Sequence, residues 1–142
     1  MKRTLERLFG GKAQAPAPTP KLAVAQLLLE IARSDLNITI SEIDVIRRHL
    51  AKAYELSEPA LDALIASAQS KVEQSVSLHD SVNTVNRLLS AEDKAGLIRT
   101  LWRVAYADQR LDMHEEALLR RLADLLYVPH SVFIREKLAT QN

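Results

Sequence analysis

After residue 11 the chain contains a single glycine, Gly96. No other feature narrows its fold as much. The loops G-x-G-x-x-G and G-x-x-x-x-G-K need glycine where the backbone closes on a phosphate. Nucleotide-binding folds built on them are excluded. Two-residue hairpins also lean on glycine at positive φ, which argues against an all-β fold. The 142 residues are 47% apolar and 26% charged, the size and balance of one soluble globular domain. With no cysteine, disulfides, thiolate chemistry and Cys-type zinc sites are excluded.

The apolar spacing is helical nearly throughout from Lys21 onward. Lys21–Arg33 is apolar on most sides, as a buried helix requires. Ser41–Tyr54 puts Ile43, Ile46, Leu50 and Ala53 on one stripe. Ser57-Glu58-Pro59 reads as a helix start, with Pro accepted in the first turn, and that helix runs to about Lys71. Leu78–Leu89 follows. Ser90-Ala91-Glu92-Asp93 opens a helix to about Ala107, His114–Leu126 forms another, and Pro129-His130-Ser131 opens the last, to about Thr140. The expectation is an all-α fold of about seven helices.

Residues 1–20 differ from the rest. Ala15-Pro16-Ala17-Pro18-Thr19-Pro20 is a stiff extended linker. Before it, Leu5, Leu8 and Phe9 share a face beside Lys2, Arg3 and Arg7. This basic amphipathic tail reads either as a frayed end or as a weak anchor through residues 1–12 for a membrane surface or a partner. The domain proper is 21–142. The net charge of +1 divides into +3 for residues 1–20 and −2 for residues 21–142, which hold 15 basic and 17 acidic side chains. A body near neutrality gives no electrostatic case for nucleic acid. No stretch has the length of a membrane span, and Met1-Lys2-Arg3-Thr4-Leu5 lacks the apolar core of a signal peptide. A cytoplasmic location is expected.

A shift of 73 positions aligns Ala32–Arg48 with Ala105–Arg121. Ala32/Ala105, Asp35/Asp108, Glu42/Glu115, Arg47/Arg120 and Arg48/Arg121 are then identical. Five identities in 17 positions compare with roughly one from ordinary composition. One residue fewer after Arg121 brings Leu56 level with Val128. The reading is a duplication: two helical units around one core, too few for a solenoid.

Each unit carries an Asp at the end of its buried helix and a Glu seven residues later, as Asp35…Glu42 and Asp108…Glu115. Hard cations such as Ca²⁺ and Mg²⁺ seek several oxygens of this kind, so a metal site is one reading. Capping is the other. Thr39-x-x-Glu42 is a capping box, and Asp112-x-x-Glu115 has the same logic. Ca²⁺ takes about six to eight oxygens. The first turn offers Asp35, Glu42, Thr39 and Asn37, the second Asp108, Asp112, Glu115 and Glu116. Any site therefore needs backbone carbonyls and water and binds weakly, the second turn better than the first. An EF-hand is rejected, since its twelfth position counted from Asp35 is Ile46.

No other constellation carries chemistry. The four histidines lack His-x-x-x-His spacing, and no G-x-S-x-G accompanies the serines. His114 reads as a solvent-facing first-turn residue. Asp44/Arg48 and Glu116/Arg120 are i,i+4 pairs, so the Arg47-Arg48 and Arg120-Arg121 doublets read as solvated helix faces rather than anion sites. Trp102 and Tyr106 sit on or near an apolar stripe and read as packing residues. The protein is expected not to be an enzyme.

The doubled turn motif on a seven-helix chain resembles the TerB family of bacterial tellurite-resistance-related proteins. The resemblance is clearest in Leu101–Asp108 and Ala123–Arg135, covers about residues 21–140, and points to a TerB-like branch common in proteobacteria. The chain is more distantly similar to the N-terminal domain of DjlA-type co-chaperones. The resemblance implies a non-enzymatic, all-helical fold with internal pseudo-twofold repetition, cytoplasmic or membrane-adjacent, tied to metal or chemical stress. It also implies an acidic turn, Ala-Asp-Gly-x-Ile/Leu-Asp-x-x-Glu, proposed to bind divalent cations. That pattern falls on Asp35, Thr39 and Glu42 and on Asp108, Asp112 and Glu115, giving Asp35, Glu42, Asp108, Asp112 and Glu115 as metal-ligand candidates. Thr39 stands for the middle Asp in the first turn, and Leu36 and Gln109 stand for the glycines. The expected role is a protein assembly of the stress response with weak divalent-cation binding. The alternative is a metal-free adaptor that docks a partner or membrane through its tail.

Overall fold

The computed structural model describes residues 19–33, 39–74, 78–107 and 113–141. Seven helices account for nearly all of them: α1 (Pro20–Ala32), α2 (Ile40–Tyr54), α3 (Glu58–Glu73), α4 (His79–Leu88), α5 (Ala91–Ala105), α6 (Met113–Leu125) and α7 (His130–Thr140). No strand occurs among the described residues. The fold is all-α.

The starts follow local chemistry. Thr19, Thr39, Ser57 and Ser90 each turn a side-chain oxygen onto an N–H of the first turn that has no helical acceptor. Proline stands in the first turn of α1 and α3, where its missing N–H costs nothing. Two ends are also alike. Glu55 after α2 and Tyr127 after α6 hold φ of 51° and 58°, in the left-handed region. The next amides then reach back to close the helix, Leu56 N–H to Ala51 O at 3.2 Å and Val128 N–H to Ala123 O at 2.9 Å. Helix α5 stops at Ala105, earlier than its apolar pattern suggests, because its last turn tightens: Ala107 N–H bonds Val104 O, an i→i−3 contact.

Helix α1 is the centre. Nine of its 13 residues are buried, and α2, α3, α4, α5 and α6 all pack against it. Its apolar residues therefore spread around the axis rather than along one stripe. Helix α5 is the second axis, packed on α1, α2, α6 and α7. The neighbours run in parallel order: α1 carries α2 and α3, and α5 carries α6 and α7. Helix α4 lies against α1, where Ser81 Oγ donates to Gln26 Oε1 at 3.1 Å in the interior. Asn86 Nδ2 ties α4 to Leu125 O at 3.0 Å.

One continuous core results, from Leu27, Leu28, Leu29 and Ile31 on α1 to Leu97, Leu101 and Trp102 on α5. Trp102 is fully buried. Its indole N–H donates to Phe133 O at 3.1 Å, and its ring lies 4.8 Å from that of Phe133 and 6.0 Å from that of Tyr106. Trp102 packs, as its stripe predicts.

Candidate functional site

The acidic turns link α1 to α2 and α5 to α6. Asp35, Asp108 and Asp112 lie outside the described residues, as do Asn37 and the tail up to residue 18. Glu42 and Glu115 are described. Each stands at the third position of its helix, α2 or α6, and each is 1% exposed.

At Glu42 the capping box is formed in full. Thr39 Oγ1 accepts from Glu42 N–H at 3.1 Å, and Glu42 Oε1 accepts from Thr39 N–H at 2.8 Å. A carboxylate offers about four lone-pair directions, and the cap bond uses one of them on Glu42. A hard-oxygen donor of this kind suits Ca²⁺ or Mg²⁺. Among the described residues, no group of three His, Cys, Asp or Glu side chains gathers closely enough to hold a metal. His114 is exposed, as a first-turn residue is expected to be.

The arginine doublets do more than face solvent. Arg48 bonds Asp44 within α2, and Arg120 reaches Glu116 within α6 at 3.6 Å, the two i,i+4 pairs expected. Arg47, however, crosses to α3 and bridges Glu58 at 2.7 Å and Asp62 at 2.8 Å. Those two carboxylates hold its guanidinium above its usual pKa, the Asp62 hydrogen bond most strongly.

A third buried carboxylate escapes the sequence reading. Glu136 on α7 is 1% exposed and clamped by Arg99 Nε at 2.5 Å and Arg135 Nε at 3.1 Å. Burial alone would push its carboxyl up. The two arginines outweigh burial and hold it below the usual range. The signal available was spacing: Glu136 follows Phe133 by three residues and so shares its inward face.

This geometry defines an all-α bundle with a buried carboxylate at the start of the helix after each acidic turn. The family model described as Tellurite resistance protein TerB matches residues 21–138, and the chain belongs to that family. No curated protein and no solved structure matches it. Among the described residues, no helix is long and apolar enough to cross a membrane.

Proposed function

We propose that this TerB-family domain is non-enzymatic and binds a divalent cation, Ca²⁺ or Mg²⁺, weakly at its second acidic turn. It would do so within cytoplasmic protein assemblies that answer metal or tellurite stress. The observation that supports this reading is the burial of Glu42 and Glu115, 73 positions apart in the sequence and each 1% exposed. Carboxylate oxygens are the ligands a hard cation takes. Glu42 also accepts from the Thr39 N–H within its capping box. The second turn has Asp112 where the first has Thr39, so Asp108, Asp112 and Glu115 form the stronger set, and Asp35 with Glu42 the weaker.

The test is titration of the full chain with Ca²⁺, Mg²⁺ or Mn²⁺, followed by backbone NMR. The expected result is a set of shifts confined to residues 108–116 and lost in Asp108→Ala. Absence of shifts at millimolar metal sinks the reading.

One observation favours a metal-free adaptor instead. Ile40 and Met113, 73 positions apart, are 89% and 85% exposed beside the acidic turns. Exposed large apolar side chains are where partner surfaces form. In that reading residues 1–20 dock a partner or a membrane surface. Their deletion should abolish liposome or partner co-sedimentation, and unchanged sedimentation discards the tail's role.

A further inference from the structure

Helices α2 and α5 pack side by side and leave a groove of about 660 Å³. Arg48 and Lys52 line it from α2, one turn apart. Arg99 and Arg103 line it from α5, also one turn apart. His49 and Thr100 line it as well and join the two helices, with His49 Nδ1 and Thr100 Oγ1 2.9 Å apart. Four cations thus converge in a body whose net charge is −2.

Two of the four are paired and two are not. Arg48 is bonded to Asp44 and Arg99 to Glu136. Lys52 and Arg103 form no ion pair among the described residues, and both are exposed. Two positive charges, one from each helix, therefore have no ion-pair partner among the described residues. Burial first, and Arg103 second, hold the His49 imidazole below its usual pKa. It is a neutral hydrogen-bonding wall rather than a fifth charge. A guanidinium fork and an ammonium are the donors that suit phosphate oxygens. The volume lies within the range of roughly 300–1,000 Å³ found for small-molecule sites.

We propose that this groove binds a small soluble molecule through a phosphomonoester dianion, held chiefly by Lys52 and Arg103 with Arg48 and Arg99 flanking it. The site is separate from the acidic turns and does not depend on a metal there. Phosphate oxygens also occur on lipid headgroups, and the test separates the two sources.

The full chain is titrated with inorganic phosphate and with adenosine monophosphate at ionic strength held constant with chloride, followed by backbone NMR. The expected result is saturable shifts confined to residues 45–53 and 99–103. In Lys52→Ala/Arg103→Ala, whose exposed side chains leave the core intact, affinity should fall about tenfold or more with the loss of two charge-assisted contacts. In Asp44→Asn, which frees Arg48, affinity should rise. Shifts that do not saturate, that scatter over the surface, or that persist unchanged in the double variant overturn the proposal. So does Lys52- and Arg103-dependent binding to phosphatidylcholine vesicles carrying phosphatidic acid when neither soluble probe binds.

Discussion

Helices α3 and α7 close the core by different chemistry, α3 packed on α1 and α7 on α5. The inward face of α3 is aliphatic: Leu61, Leu64, Ile65, Ala68 and Val72. Among the described residues its ionic ties lie at the surface, where Glu58 and Asp62 meet Arg47. The inward face of α7 carries Phe133 against Trp102, and a buried Glu136 under two arginines. The left-handed ends after α2 and α6 are set by contacts within a few residues. What fills the space between helices is free to diverge, because packing asks only for volume and for satisfied polar groups.

The largest expected effect probes that divergence directly. Trp102→Ala should cost about 3–5 kcal/mol, since it opens a cavity and strips the Phe133 carbonyl of its indole donor. Leu29 lies 73 positions before it, is fully buried on α1, and has no polar tie through its side chain. Leu29→Ala should cost less, in the range of about 2–5 kcal/mol for a buried leucine. Urea unfolding of both variants measures the difference, and a larger loss at Leu29 would break the contrast.

An intermediate effect separates the ionic closures by pH. Glu136 has a lowered folded pKa, so its contribution is present at neutral pH. It is lost as pH falls through that folded value, below the ordinary carboxyl range. Glu136→Gln should cost about 1–2 kcal/mol at neutral pH, because Arg99 and Arg135 remain solvated. It should also flatten the acid limb of the stability curve. His49 acts earlier in the same direction. Its folded pKa is lowered, so the unfolded chain takes up the proton first and stability begins to fall below about pH 6.5. An acid limb unchanged by Glu136→Gln would show that the clamp contributes nothing.

The smallest effect tests the two left-handed helix ends. Glu55→Gly and Tyr127→Gly relieve a left-handed backbone and should each stabilise by up to about 1 kcal/mol. The gain at 127 should be the smaller, since Lys94 Nζ sits 5.8 Å from the centre of the Tyr127 ring. Thermal melts that rise at one site and fall at the other would show that the two ends are not equivalent.

Much of this architecture can be read along the chain. Thr39, Ser57, Ser90 and the proline at 59 announce helix starts through contacts within three residues, whereas Thr19 and Pro20, which read as linker, in fact cap and open α1. The apolar spread around α1 announces a buried helix. The Thr39–Glu42 box is visible as a spacing, because both partners lie in one turn. Its depth is not visible. Whether Glu42 stands in water or at 1% exposure depends on what packs beside the start of α2. Glu136 fails for the same reason. Flanked by Arg135 and Lys137, it reads as surface until α5 brings Arg99 against it.

The sequence by itself determined the helices, their caps, the single apolar core and the family, because these rest on contacts a few residues long and on periodic burial. Only the tertiary structure decided which charges meet. Arg48 and Lys52 join Arg99 and Arg103 across about fifty residues of chain, and Arg47 turns to α3 while its neighbour Arg48 enters the groove. Helical periodicity assigns a residue to a face of its own helix. It carries no information about which face of another helix will lie opposite, and the groove, the clamp on Glu136 and the depth of Glu42 all depend on that choice.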